Sequence, residues 1–292
     1  MRIEMTTALT AQQKREEAAL LAKVHAHDHT FKDIYLSNQL NTEKGMGTFF
    51  LAYRDAQLVG FLMNYADGPA TEAAELSVIV DPDHRRQGIA TALIAAVRAE
   101  LAKFGYDRYE FVSERAFIEA NPDFLTRTHL TIEDGTEFQL GCTGTTNIDF
   151  VLPDAYTLRL MTAVDLPTLV AQQVEAFDDT DTASATRYLQ ASLDDPSIRQ
   201  YVLTDAAGTL MGSTAVDTSE KYYFYGLSVA QPMRGRGFGT MMVRAIMADL
   251  AHRQPRRMQL AVESDNPVAR HVYAKAGFVA ETEILYLQPS VQ

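Results

Sequence analysis

Two α/β units of similar topology, each a mixed and largely antiparallel sheet with helices on both faces, are the fold that this sequence predicts. Three observations point there. The chain has 292 residues, and at ~100–200 residues per domain that length suits two compact domains. The stretch Arg85-Arg86-Gln87-Gly88-Ile89-Ala90-Thr91 aligns with Arg234-Gly235-Arg236-Gly237-Phe238-Gly239-Thr240, an offset of 149 residues from Gly88 to Gly237 that is half the chain. In both copies a strand pattern runs into a glycine-bearing loop, and the loop opens a helix pattern.

The elements follow in the same order in each half. Phe50 to Gly60 and Tyr201 to Gly212 are pairs of apolar runs around a polar turn, and each reads as a β-hairpin. Leu76-Ser77-Val78-Ile79-Val80 and Tyr225-Gly226-Leu227-Ser228-Val229 are the strands that precede the loops. Beyond the loops, Ala92, Leu93, Ile94, Val97 and Leu101 in the first half recur at helical spacing, as do Met241, Met242, Ile246, Met247 and Leu250 in the second. Gly, Thr, Asn and Asp gather between Cys142 and Pro153, ahead of a new strand at Tyr156–Leu160. The expected domains are therefore residues 1–150 and 151–292.

Composition narrows the function classes. At 47% hydrophobic and 22% charged residues, the chain is neither collagen-like nor low-complexity, and a core can form. With 26 Lys+Arg against 38 Asp+Glu the net charge is −12, which argues against coating a nucleic acid, because that binding runs on cationic counterion release. The single cysteine, Cys142, has no partner for an internal disulfide, and no Cys/His spacing of the zinc type occurs, so no metal is expected. The opening residues lack the apolar core of a signal peptide. The apolar stretch Ile89–Val97 falls far short of the ~20 residues that span a bilayer. These readings place the protein in the cytoplasm, without a membrane, as a monomer or homodimer.

A strand, a short turn and Arg-x-x-Gly-x-Gly at a helix start form a device for holding a diphosphate. First-turn amides have no intrahelical partner, and the helix dipole is positive there. Gly235, Gly237 and Gly239 let a ligand approach the backbone, while Arg234 and Arg236 offer cations to phosphate oxygens. A solvated glycine turn is the plainer alternative for either copy taken alone. A Walker loop is excluded, since no Gly-Lys followed by Ser or Thr occurs, and Thr240 stands where a dinucleotide fingerprint needs its third glycine.

The loop Arg234–Gly239, followed by Asn266-Pro267-Val268-Ala269-Arg270-His271-Val272-Tyr273-Ala274-Lys275-Ala276-Gly277-Phe278, resembles the paired acetyl-CoA motifs of the GCN5-related N-acetyltransferases (GNAT), and the hairpin repeats extend the resemblance to tandem members with two such domains. The resemblance implies that acetyl-CoA is the co-substrate and the amine of a small molecule or peptide the acceptor. It implies main-chain contacts to pantetheine at Leu227, Ser228 and Val229, and the diphosphate on the amides of Arg234, Gly235, Arg236, Gly237, Phe238, Gly239 and Thr240. It also implies that Asn266 helps hold the cofactor arm and that Tyr273 protonates the departing thiolate, a transfer that a phenol can make. In the first half the corresponding residues are Val78, Ile79, Val80, Arg85, Arg86, Gln87, Gly88, Ile89 and Ala90, but Asn121 is followed by Leu125 and Thr128 where Asn266 is followed by Arg270 and Tyr273. That half either binds acetyl-CoA or is structural, and transfer is expected in the second.

An amine acceptor needs a base, for which Glu75, Glu220 and Glu263 are candidates; the residue matching Glu75 in the second half is Phe224. Asp178 and Asp179, within the acidic run Glu175–Asp181, are candidate acceptor contacts, unless the run is a solvated loop with Asp181 or Thr182 starting a helix. Tyr223 and Tyr225 share one strand face and are candidate acceptor contacts as well, with Tyr222 on the other face. His25 and His29 would share a helix face, though a third metal ligand is not evident, and His271 reads as a helix-surface residue. Transfer of another acyl group, a non-catalytic acyl-CoA-binding module and a dinucleotide-binding protein are the competing readings.

Overall fold

The computed structural model describes residues 1–177 and 181–290. The chain divides into two compact units, the first holding residues 1–137 together with 282–292 and the second residues 138–281. This differs from a cut at 150/151: the second unit starts twelve residues before Phe150, and the first unit recovers the C-terminal end of the chain.

In chain order the elements are β1 (Arg2–Thr6), α1 (Ala11–Asp28), β2 (Phe49–Arg54), β3 (Gln57–Tyr65), β4 (Ala74–Val80), α2 (Ile89–Lys103), β5 (Tyr109–Glu114), α3 (Arg115–Ala120), α4 (Phe124–Thr128) and β6 (Leu130–Cys142). They continue with β7 (Tyr156–Leu160), α5 (Leu166–Ala176), α6 (Thr182–Asp194), β8 (Ile198–Asp205), β9 (Leu210–Asp217), β10 (Tyr222–Val229), α7 (Phe238–Arg253), β11 (Met258–Glu263), α8 (Pro267–Lys275) and β12 (Val279–Pro289). Strands run β1-β2-β3-β4-β5 in the first unit and β7-β8-β9-β10-β11 in the second. In both, the last pair is parallel. The neighbouring pairs β3–β4 and β9–β10 are antiparallel. The predicted mixed, largely antiparallel sheet is thus present twice.

Local chemistry explains the elements. The β2–β3 turn bends at Asp55 and Ala56, with φ of 48° and 67°. In the β8–β9 turn Gly208 takes φ 82°, and the Asp205 carboxylate accepts from the amides of Ala207 and Thr209 at 3.0 and 2.8 Å. Thr10 and Gln13 form a capping box at the start of α1. Asp181 caps α6 by accepting from the Ser184 amide at 2.7 Å, the plainer of the two roles open to the acidic run. Helix α2 buries Ile89, Leu93, Val97 and Leu101, one residue per turn, against the β4 residues Leu76, Val78 and Val80. On the other face Leu20 and Val24 of α1 meet Phe49, Phe61 and Ile79. The second unit repeats this, with α7 packed on one face and α5 and α6 on the other.

Strand β12 joins the first unit's sheet by pairing antiparallel with β5, from Ile284↔Glu114 to Leu287↔Phe111. Its Ile284, Leu285 and Leu287 are buried. No helix among the described residues is long and apolar enough to cross a membrane. Deleting residues 282–292 is expected to leave β5 with an unpaired edge and three lost apolar side chains, and hydrogen exchange should speed up across residues 109–114. Unchanged protection there would show that β12 contributes nothing to the first unit.

Candidate active site

In the second unit, β10 lies antiparallel to β9 with a bulge: Tyr225 faces Ala215, yet Ser228 faces Ser213, so one residue more is taken up on β10. Gly226 sits in that bulge with φ 62°. On its other side β10 pairs with β11 at Tyr222↔Met258 and Tyr223↔Gln259, and no later pair occurs among the described residues. The two strands therefore part from Phe224 onward. In the first unit the β3–β4 register is unbroken from Tyr65↔Glu75 to Gly60↔Val80, and β4 stays paired with β5 as far as Ser77. The gap beside the motif strand thus opens sooner in the second unit, after Tyr223, where the first ladder continues through Leu76 and Ser77.

Both motif strands lead through a single 3₁₀ turn, Pro82–His84 and Gln231–Met233, into the glycine loop. Gly88 and Gly237 take left-handed φ of 79° and 86° at the starts of α2 and α7, where no side chain caps the helix. Gly235 is left-handed too, at φ 71°, whereas its counterpart Arg86 holds φ 63° with a side chain present. Space beside Gly88, Gly235 and Gly237 is open to at least 4 Å. Gly239 is different: a Cβ there would make ordinary contact with Val272 at 3.5 Å, and Ala90 occupies the matching place in the first unit. Uncapped amides, open space and left-handed glycines together fit a diphosphate.

Two of the loop arginines already hold partners within the protein. Arg234 donates from Nε to the Val229 carbonyl at 2.9 Å and pairs with Glu175 at 2.6 Å. Arg85 donates from Nε to the Val80 carbonyl at 3.2 Å and grips Asp28 with two bonds of 2.8 and 2.5 Å. Arg85 thus ties the end of its motif strand to α1, and Arg234 ties its own to α5. Arg236 lies over the Phe238 ring at 5.3 Å. In the first unit the Gln87 carboxamide accepts from Arg54 at 2.5 Å.

The remaining sequence candidates divide by element. Leu227 and Val229 turn toward the α7 core, and buried Ser228 meets Gln172 at 3.0 Å and Ser213 at 3.2 Å. Thr240 is in the first turn of α7. Val78 and Val80 face α2, and Ile79 faces α1. Asn266 caps α8 by accepting from the Ala269 amide at 2.9 Å. Tyr273 is 6% exposed, with its ring edge to face on Phe278 at 5.9 Å. Burial alone pushes its phenol well above the usual range, so the hydroxyl keeps its proton at neutral pH. The counterpart segment in the first unit is broken into α3 and α4, and the Thr128 hydroxyl bonds back to the Phe124 carbonyl at 2.7 Å. Tyr223 and Tyr225 are half-buried on one face, while Tyr222 is buried on the other and donates to the Gln254 carbonyl at 2.8 Å. Glu220 and Glu263 are exposed. Asp178 and Asp179 lie outside the described residues. His25 bonds the Lys32 carbonyl and His27 bonds Asp28, and among the described residues no group of three metal-ligating side chains forms.

Two groupings were not visible in the sequence, although Glu75 by itself was a candidate base. Tyr188 of α6 stacks edge to face on Tyr225 at 5.8 Å. In the first unit Glu75 lies across the strands from Tyr65 and Glu110, and Tyr286 donates to Glu137 at 2.7 Å. No spacing rule joins these residues, because the register of separate strands brings them together.

Two such strand–loop–helix units in one strand order define a tandem N-acetyltransferase. The chain belongs to the Acetyltransferase (GNAT) family, whose profile matches residues 13–119 and 166–278, one stretch in each unit. A mycothiol acetyltransferase of Clavibacter sepedonicus is 29% identical over 225 residues, covering 73% of this chain and 71% of that protein. A GCN5-related N-acetyltransferase structure from Sphaerobacter thermophilus superposes with a TM-score of 0.73 at 15% identity, over 99% of this chain and 97% of that one. A tandem GNAT protein from the clavulanic acid biosynthesis pathway gives 0.67 at 18% identity, over 100% and 99%. At these identities the two structures share the fold.

Burial, with Asp67 and Glu137 nearby, lifts the Glu75 carboxyl from 4.5 to about 7 against the pull of Lys32. The unfolded chain then releases this proton first, so the group lowers stability progressively as pH rises from about 4.5 to about 7 and has a constant effect beyond. Glu110, raised to about 8 by burial and a hydrogen bond shared with Glu133, acts in the same direction. Glu75→Gln should therefore reduce the loss of Tm between pH 4.5 and pH 8, with a gain at pH 8 of about 2–4 °C per kcal/mol recovered. Parallel melting curves for variant and parent across that range would refute the assignment.

Proposed function

We propose that the second unit transfers an acetyl group from acetyl-CoA to the amine of a small molecule or peptide, by direct attack while both are bound. The observation that carries this reading is the gap between β10 and β11, which leads directly into the open, uncapped loop at Gly235–Gly237. Acetyl-CoA supplies a thioester that an amine can attack and a thiolate that can leave. The loop amides would hold its diphosphate, and main-chain groups of Leu227, Ser228 and Val229 would orient the pantetheine and the thioester carbonyl. Arg234 acts on this cradle as a positioning residue through the Val229 carbonyl. Asn266 likewise fixes the first turn of α8, the helix that carries Tyr273.

Tyr273 would give its proton to the departing thiolate. A phenol held protonated by burial suits that task, and Thr128 in the first unit does not. The first unit has kept the tethered arginine and the left-handed Gly88 but not the acid, which supports placing transfer in the second. The half-buried Tyr223 and Tyr225 are proposed to line the acceptor side, and the cytoplasm is the proposed compartment.

Tyr273→Phe is expected to lower kcat for thiol release from acetyl-CoA by about 10²-fold while calorimetric affinity for CoA stays within about twofold. Gly237→Val should do the reverse, weakening CoA by at least about tenfold through lost left-handed geometry. Full turnover in Tyr273→Phe would remove the acid assignment. No heat of association between CoA and the unaltered chain would overturn the reading as a whole.

A further inference from the structure

Tyr188 lies on α6, whose Ala185, Leu189 and Ser192 are buried. Its ring packs against Tyr225, and its hydroxyl reaches the bulge of β10, so close that a Cβ on Gly226 would collide with the hydroxyl oxygen. Several polar groups around the bulge are engaged. Thr214 donates to the Tyr225 carbonyl at 2.9 Å and Gln173 to the Gly226 carbonyl at 3.5 Å. Gln172 donates to the Ser228 hydroxyl at 3.0 Å, and Ser228 meets Ser213 at 3.2 Å. The Tyr188 hydroxyl stands apart: it is buried and has no hydrogen-bond partner among the described residues. A buried donor left unpaired is costly, and an incoming acceptor atom removes that cost.

We propose that Tyr188 is a second catalytic residue of the C-terminal unit, donating a hydrogen bond from its hydroxyl to the carbonyl oxygen of the acyl thioester laid on the β10 bulge. The inference rests on the transferase reading above. As the acceptor nitrogen forms its bond to the carbonyl carbon, the C=O π pair moves onto oxygen, and Tyr188 stabilises that oxyanion while keeping its own proton. Collapse restores C=O and breaks C–S, with the pair leaving on sulfur, which takes the Tyr273 proton. The amine proton passes to water, and water reprotonates Tyr273. Burial, with Tyr225 and Tyr273 close by, pushes the Tyr188 phenol far above neutrality, so it remains a donor throughout. Glycine suits the bulge, since its φ of 62° is left-handed and a Cβ would crowd the hydroxyl.

Tyr188→Phe keeps the ring on Tyr225 and removes one oxygen. The unaltered chain is expected to release thiol from acetyl-CoA above the uncatalysed rate with hydroxylamine as the amine nucleophile; the variant should lose about 10²-fold in kcat, with calorimetric affinity for CoA within about twofold. Infrared spectra of bound ¹³C-carbonyl acetyl-CoA should show the C=O stretch at higher frequency in the variant than in the parent. An unchanged stretch overturns the proposal whether turnover falls or not, because the loss would then come from packing. If the parent shows the stretch difference but releases no thiol, the transferase reading fails while the hydrogen bond stands.

Discussion

On its β11 side, β10 loses its ladder partners after Tyr223, and the rest of the second unit is arranged around that break. Unpaired main-chain donors and acceptors are costly unless something else satisfies them. On the β9 side the bulge at Gly226 re-aims the strand, and side chains take over where regular pairing fails: Thr214 bonds the Tyr225 carbonyl and Arg234 the Val229 carbonyl. On the β11 side the gap is left for a ligand. The same strand then passes into left-handed glycines and an uncapped helix start, which continues the line of amides toward an anion.

Arginine at the loop entrance illustrates how a charged residue can act through structure. In both units its Nε holds the last carbonyl of the motif strand, and its guanidinium holds a carboxylate of the unit's first helix, Asp28 of α1 or Glu175 of α5. In the first unit the pair is bidentate, and Asp28 is buried and held below the usual carboxylate range. In the second the pair is more exposed and made through one bond. Exposed single-bond pairs are weak, so the second loop is held mainly by the Nε contact and by its glycines.

Around this shared frame the two units differ in chemistry. The first carries Glu75 on its motif strand, whereas the residue at the same sequence offset in the second, Phe224, is buried in the α7 core. The second carries Tyr273 on an intact α8 where the first has two short helices and Thr128. A carboxyl raised to about 7 beside Asp67 and Glu137 belongs to an acidic strand face, whereas the second unit presents phenols and carboxamides at the corresponding place. The duplication preserved what the backbone needs and left side chains free to diverge.

Local order was legible in the sequence because it depends on near neighbours. Hairpins at Phe50–Gly60 and Tyr201–Gly212, the strand Tyr156–Leu160, the apolar stripes of α2 and α7 and the glycine loops all rest on periodicity and turn chemistry. The family resemblance was legible in the same way, through two contiguous motifs. The unit boundary was not: β12 pairs with β5 across about 170 residues, and no local signal marks where a strand finds its edge. Nor could spacing reveal that Arg234 is tied down, or that the Tyr188 hydroxyl meets Gly226 from a separate helix. Sequence by itself determined the repeated elements and the backbone cradle, since φ preference and hydrophobic period are encoded residue by residue. Only tertiary structure decided which strand closes the first sheet, which charges are already paired and which hydroxyl stands beside the bulge, because those depend on distances between segments that the chain brings together only when folded.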